Sequence, residues 1–78
     1  MQTTVKAKNG TVEVRTARRT DNRWESEYRF IPCTGKTTEW NHAGVPEGYV
    51  SLGMALSAGI LLGRLMAEDL ASHREHAV

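Results

Sequence analysis

The sequence predicts an α+β fold: an antiparallel β-meander of three to four strands packed against one long C-terminal helix, in the order βββα. Three observations lead there. The segment 5–14, "VKAKNGTVEV", sets Asn-Gly between two alternating runs, the strongest short-range hairpin signal. Residues 23–31, "RWESEYRFI", alternate apolar and polar, as a strand with one dry and one wet face does. Residues 49–63, "YVSLGMALSAGILLG", hold no charge and lead into a proline-free stretch rich in Leu, Met and Ala, residues that favour a helix interior.

Each element follows in order within a single domain, 1–78. A type I′ turn at Asn9-Gly10 would set Lys8 opposite Thr11, Ala7 opposite Val12, Lys6 opposite Glu13 and Val5 opposite Val14. Val5, Ala7, Val12 and Val14 then share one face, and Lys6 and Glu13 form an opposite-charge pair on the other. Residues 17–23, "ARRTDNR", read as a polar turn with Asp21-Asn22 at its tip. In the next strand Trp24, Tyr28 and Phe30 lie on the dry side, and Arg23, Glu25, Glu27, Arg29 and Ile31 on the other. Pro32 ends the strand, since it cannot donate to a ladder. A three-residue loop at 34–36 would put Trp40 opposite Phe30 and Thr38 opposite Pro32. It is preferred to a two-residue loop because it buries the tryptophan. The meander thus spans 3–40. Residues 41–48, "NHAGVPEG", read as a loop punctuated by Gly and Pro. The helix covers 49–73, with either Ser51 as N-cap or Pro46 in the first turn, and 74–78 form a frayed tail.

At 100° per residue the helix carries two apolar stripes. Leu52, Ala55, Leu56, Gly59, Gly63, Met66 and Leu70 form one; Met54, Ala58, Leu61 and Leu65 form a second, with Leu62 between them. The combined arc exceeds half the circumference, whereas packing on one sheet needs little more than about 100°. Length points the same way. Twenty-five helical residues span about 37 Å, against about 26 Å for strands of eight, so the helix should overhang its sheet by about two turns. Met54, Ala58, Leu61, Leu62 and Leu65 are therefore expected at a homodimer interface. Ala55, Gly59 and Gly63, spaced by four, allow close approach either to the sheet at Trp24 or Trp40, or to a second helix.

Composition narrows the function classes. A chain of 78 residues buries a small core and gains from a partner. Cys33 is its one cysteine, so no disulfide forms within it, and a reducing, cytoplasmic setting is expected. The opening "MQTTVKAKNG" lacks an apolar core, so no signal peptide is expected. The uncharged window between Glu47 and Arg64 is 16 residues and includes four glycines, too short and too weakly apolar for a bilayer span of about 20 residues. Net charge is +1, distributed as +4 over residues 1–23 and −3 over 24–78, so the two parts attract within or between chains.

Candidate chemistry is sparse. His73 and His76, with Glu75 between them and His42 elsewhere, read as exposed tail residues rather than ligands. "CTGK" at 33–36 lacks the glycine spacing of a phosphate loop. No metal, cofactor or catalytic residue is expected, and the chain reads as a non-enzyme. Arg15, Arg18, Arg19 and Arg23 cluster near Trp24, with Lys6, Lys8 and Arg29 on the outer face, a pattern that phosphate binding would use. Glu13, Glu25 and Glu27 share that face. The order of three strands and a helix resembles that of AP2-type and integrase N-terminal DNA-binding domains, in architecture but not in their characteristic residues. The leading expectation is a homodimeric protein-binding module, an adaptor or inhibitor; the alternatives are nucleic-acid binding through the four arginines and, more weakly, membrane association.

Overall fold

A computed structural model describes residues 1–76, with side-chain surroundings through Ser72. Four strands, β1 (Gln2–Ala7), β2 (Gly10–Arg18), β3 (Trp24–Pro32) and β4 (Asn41–Ala43), precede one helix, α1 (Leu52–His76). The strands form one antiparallel sheet in sequential order, a meander. This is the α+β architecture that alternation and the long uncharged run imply. The side chains of His73 and His76 lie outside the described residues.

The first hairpin forms with a different turn. Ala7 pairs with Gly10 and Val5 with Val12, so Lys8-Asn9 occupies the bend. Asn9 takes the left-handed conformation at φ 63°, and Gly10 does not, whereas a type I′ turn at Asn9-Gly10 needs both. Gly10 instead lies inside β2, where an added methyl would run into the Ile31 carbonyl and the Phe30 ring. The glycine is there for the neighbouring strand, not for the turn. A shift of two residues leaves every side chain on its expected face. It does break the expected Lys6–Glu13 pair: Lys6 faces Thr11 and Glu13 faces Thr4.

β2 runs on to Arg18, pairing Ala17 with Glu25 and Arg18 with Trp24, so the polar turn is shorter than 17–23. Its tip is Asn22, at φ 65°, and the Asp21 side chain accepts from the Arg23 N–H at 3.1 Å. The β3–β4 connection departs further from expectation. Thr38, not Trp40, stands opposite Phe30: its N–H donates to the Phe30 carbonyl at 3.0 Å, and its hydroxyl accepts from the Phe30 N–H at 2.9 Å. A side-chain oxygen thus replaces a ladder carbonyl. Regular pairing resumes only at Tyr28–Asn41, placing β4 in the stretch read as loop. Trp40 then turns to the outer face, where the Arg15 and Arg29 guanidiniums lie 3.9 and 4.6 Å from its ring centre. Cation–π attraction holds the ring there in place of the expected packing beside Phe30.

The loop before the helix is fastened to the sheet by reciprocal bonds between Trp24 and Tyr49, both 2.8 Å. Ser51 caps the helix, its hydroxyl accepting from the Met54 N–H at 3.2 Å. α1 therefore starts and ends three residues later than the expected 49–73. Its inward stripe is Ala55, Gly59, Gly63, Ala67 and Ala71, each buried. Gly59 rests over Val14 and Ser26, and Gly63 over Val12. The stripe therefore packs on the sheet, over its central valines rather than its tryptophans. Val12, Val14, Phe30 and Ala67 form the core, flanked by Val5, Ala7, Tyr28, Leu56, Ile60 and Met66. The valine ridge of β2 fits into the small-residue groove, and the helix's larger side chains reach down beside it.

Candidate interaction surface

Small residues against the sheet have a direct consequence on the other side of α1. The helix turns 100° per residue, so Met54, Ala58, Leu61 and Leu65 fall within an arc of about 60° centred opposite the inward stripe. Met54, Leu61 and Leu65 are 51%, 60% and 53% exposed. Ala58 and Leu62 are half-buried. All five residues expected at a homodimer interface thus lie together along one helix, three of them largely open to solvent in the single chain. The reverse rotation of the helix would bury the leucines but drive them onto Val12 and Val14. The close approach that Gly59 and Gly63 permit would then be lost.

Three long apolar side chains at about half exposure present roughly 300 Å² per chain, which at about 25 cal/mol/Å² is worth roughly 7 kcal/mol if covered. That is large against the total stability of a small domain, typically about 5–15 kcal/mol. No charge interrupts the surface between Val50 and Gly63; Arg64, Glu68 and Asp69 border its C-terminal end. Val45 and Val50, 50% and 63% exposed, lie in the loop before the helix.

The arginine cluster is divided by the fold. Arg15 sits mid-strand on the outer face, paired with Glu27 at 2.9 Å and stacked on Trp40. Arg29 pairs with Glu13 at 2.6 Å on the same face. At the β2–β3 turn Arg18 donates to Asn22 at 3.1 Å. Arg19 donates to the Pro46 carbonyl at 2.7 Å and lies 3.2 Å from Asp21. The Arg23 side chain has no hydrogen bond or ion pair among the described residues. Three of the four arginines therefore already have intramolecular acceptors. The Trp40–Arg15–Arg29 stack was not legible in sequence, because it depends on how the 33–40 connection crosses the sheet edge.

Among the described residues no group of three His, Cys, Asp or Glu is placed to hold a metal ion. Two open recesses are lined mainly by charged side chains, one by Lys6, Lys8, Arg64 and Glu68 and one by Arg15, Glu25 and Glu27 beside Thr16. No described helix is long and apolar enough to cross a membrane. Comparison with protein-family models, with curated proteins and with solved structures finds no match.

Proposed function

We propose that this protein is a non-enzymatic homodimer that works by binding another protein, as an adaptor or inhibitor, and that Met54, Ala58, Leu61, Leu62 and Leu65 form its self-association surface. One observation carries the reading: the helix turns its small residues to its own sheet and leaves Met54, Leu61 and Leu65 half or more exposed. Apolar patches of this kind mark association sites. A second copy would also supply burial that a chain of this size lacks. With the helix face covered, Val45 in the preceding loop remains as an apolar contact for a target. The exposed lone Cys33 suits a reducing compartment such as the cytoplasm.

Sedimentation of the wild type and of a Leu61→Glu/Leu65→Glu variant tests this. The wild type is expected to dimerise at micromolar concentration and the variant to remain a folded monomer. A wild-type monomer under those conditions refutes the reading. The nucleic-acid alternative draws on Arg18 and Arg23 at one turn, since Arg15 and Arg19 are already ion-paired with Glu27 and Asp21. A low-salt shift assay with the four arginines changed to Ala decides it: salt-sensitive binding that the variant loses would restore it.

A further inference from the structure

We infer that the second copy lies antiparallel along α1, with Met54 of one chain against Leu65 of the other and Ala58 against Leu61, so that Glu68 and Asp69 of each chain reach the start of the other chain's helix. This rests on the homodimer reading and adds its direction and register.

The spacing supplies the first argument. Positions 54, 58, 61 and 65 are separated by four, three and four residues, the alternation of a two-stranded helical seam. The next positions of that series are Ser51 on one side and Glu68 on the other, so the apolar seam is closed at both ends by polar residues. Its three large members at half exposure release roughly 600 Å² per dimer, against about 1,200 Å² for the smallest stable specific interfaces. The flanks beside Ser57, Leu62 and Arg64 must contribute the rest, and so short a seam predicts a micromolar dimer.

Side-chain size supplies the second. A parallel, in-register pair would set Ala58 on Ala58, leaving a void, one layer before Leu61 on Leu61. The antiparallel pair alternates Met–Leu, Ala–Leu, Leu–Ala and Leu–Met. Every layer then holds at least one large side chain, and none holds two alanines.

Charge supplies the third, and it distinguishes the two directions. In a parallel pair the seam continues into Glu68 on Glu68, two like charges face to face. In the antiparallel register Glu68 comes opposite Ser51 and Asp69 opposite Val50 of the other chain, at the start of α1. That first turn carries no acidic residue of its own. The partial positive charge of a helix N-terminus favours a carboxylate there, and the partner would supply two.

Single cysteines test the register in a Cys33→Ser background. Met54→Cys and Leu65→Cys both alter exposed positions, so the core is untouched. Mixed and oxidised, the two variants are expected to give the 54–65 heterodisulfide at least ten-fold over either homodisulfide. In parallel, Glu68→Gln is expected to loosen the dimer several-fold, whereas a parallel pair would tighten on losing that repulsion. Predominant homodisulfides, a sedimenting dimer that gives no cross-link, or a tighter Glu68→Gln dimer overturns the antiparallel register and leaves the homodimer standing. A wild-type monomer removes both.

Discussion

Replacing Gly63 by Ala sets two effects of opposite sign against each other. Alanine is the better helix former by about 1 kcal/mol, so on propensity alone Gly63→Ala stabilises the protein. The structure reverses that. The added methyl would collide with the Val12 Cγ1 and meet its Cγ2 and Cβ at 3.2 and 3.3 Å. Val12 is fully buried and, being β-branched, holds one χ1 well strongly, so it cannot swing aside. The helix must lift from the sheet, loosening the packing of Ala55, Gly59 and Ala67 along with it. Overpacking typically costs roughly 1–3 kcal/mol, and a collision with a fully buried side chain falls at the upper end, about 2–3 kcal/mol. After the propensity gain the net loss is about 1–2 kcal/mol, or a fall in Tm of about 5–15 °C for a domain of this size. Gly53→Ala is the internal control, because the nearest side-chain atom to its added methyl is the Ser51 Oγ at 4.0 Å. It should stabilise by up to about 1 kcal/mol. Both are read by thermal melts at one fixed protein concentration, since dimerisation makes Tm concentration-dependent. A Gly63→Ala protein as stable as wild type would refute the close helix–sheet packing.

Other outcomes follow from single contacts. Ser26 is fully buried and its hydroxyl has no hydrogen-bond partner among the described residues. Ser26→Ala therefore removes an unsatisfied group and should raise stability by about 1 kcal/mol, checked by urea denaturation; a loss would mean that the hydroxyl is satisfied in solution. Trp40→Leu removes the platform under Arg15 and Arg29 and should cost about 1 kcal/mol, with the remaining tryptophan fluorescence, from Trp24, unshifted in the folded state. Leu65→Ser alone, at an exposed position, should weaken dimerisation at least ten-fold while changing the stability of the isolated chain by less than about 0.5 kcal/mol; sedimentation and dilute-solution melts together separate the two.

Side-chain alternation was enough to place the faces of β2 and β3. Val12 and Val14 share a side with Tyr28 and Phe30 in the observed register and in any register shifted by two, because a period of two survives that shift. Local turn chemistry was not enough to place the bend. Asn9-Gly10 is the favoured pair for a tight hairpin in isolation, but Gly10 is held inside the strand by the Phe30 ring, a contact formed from twenty residues away. The same limit applies to Trp40. Hydrophobicity assigns a tryptophan to the dry side, and only the Thr38 hydroxyl at the Phe30 N–H, together with two arginines across the sheet, sends it to the other.

The helix shows most plainly what periodicity can and cannot decide. Two stripes were visible on the wheel, and the structure sets the one with Ala55, Gly59 and Gly63 on the sheet and leaves the one with Met54, Leu61 and Leu65 outside. A ridge of β-branched valines leaves room for glycine and alanine but not for leucine. Val12 and Val14 lie against Gly63 and Gly59, so they set how closely the small-residue stripe approaches the sheet, whereas Leu61 and Leu65, on the far side of the helix, face outward whatever fills that groove. A Val12→Ala/Val14→Ala variant tests that separation: it should lose stability by several kcal/mol through the cavities created, while what remains folded should dimerise as the wild type does. Weaker dimerisation of the folded fraction would tie the outward seam to the valine ridge.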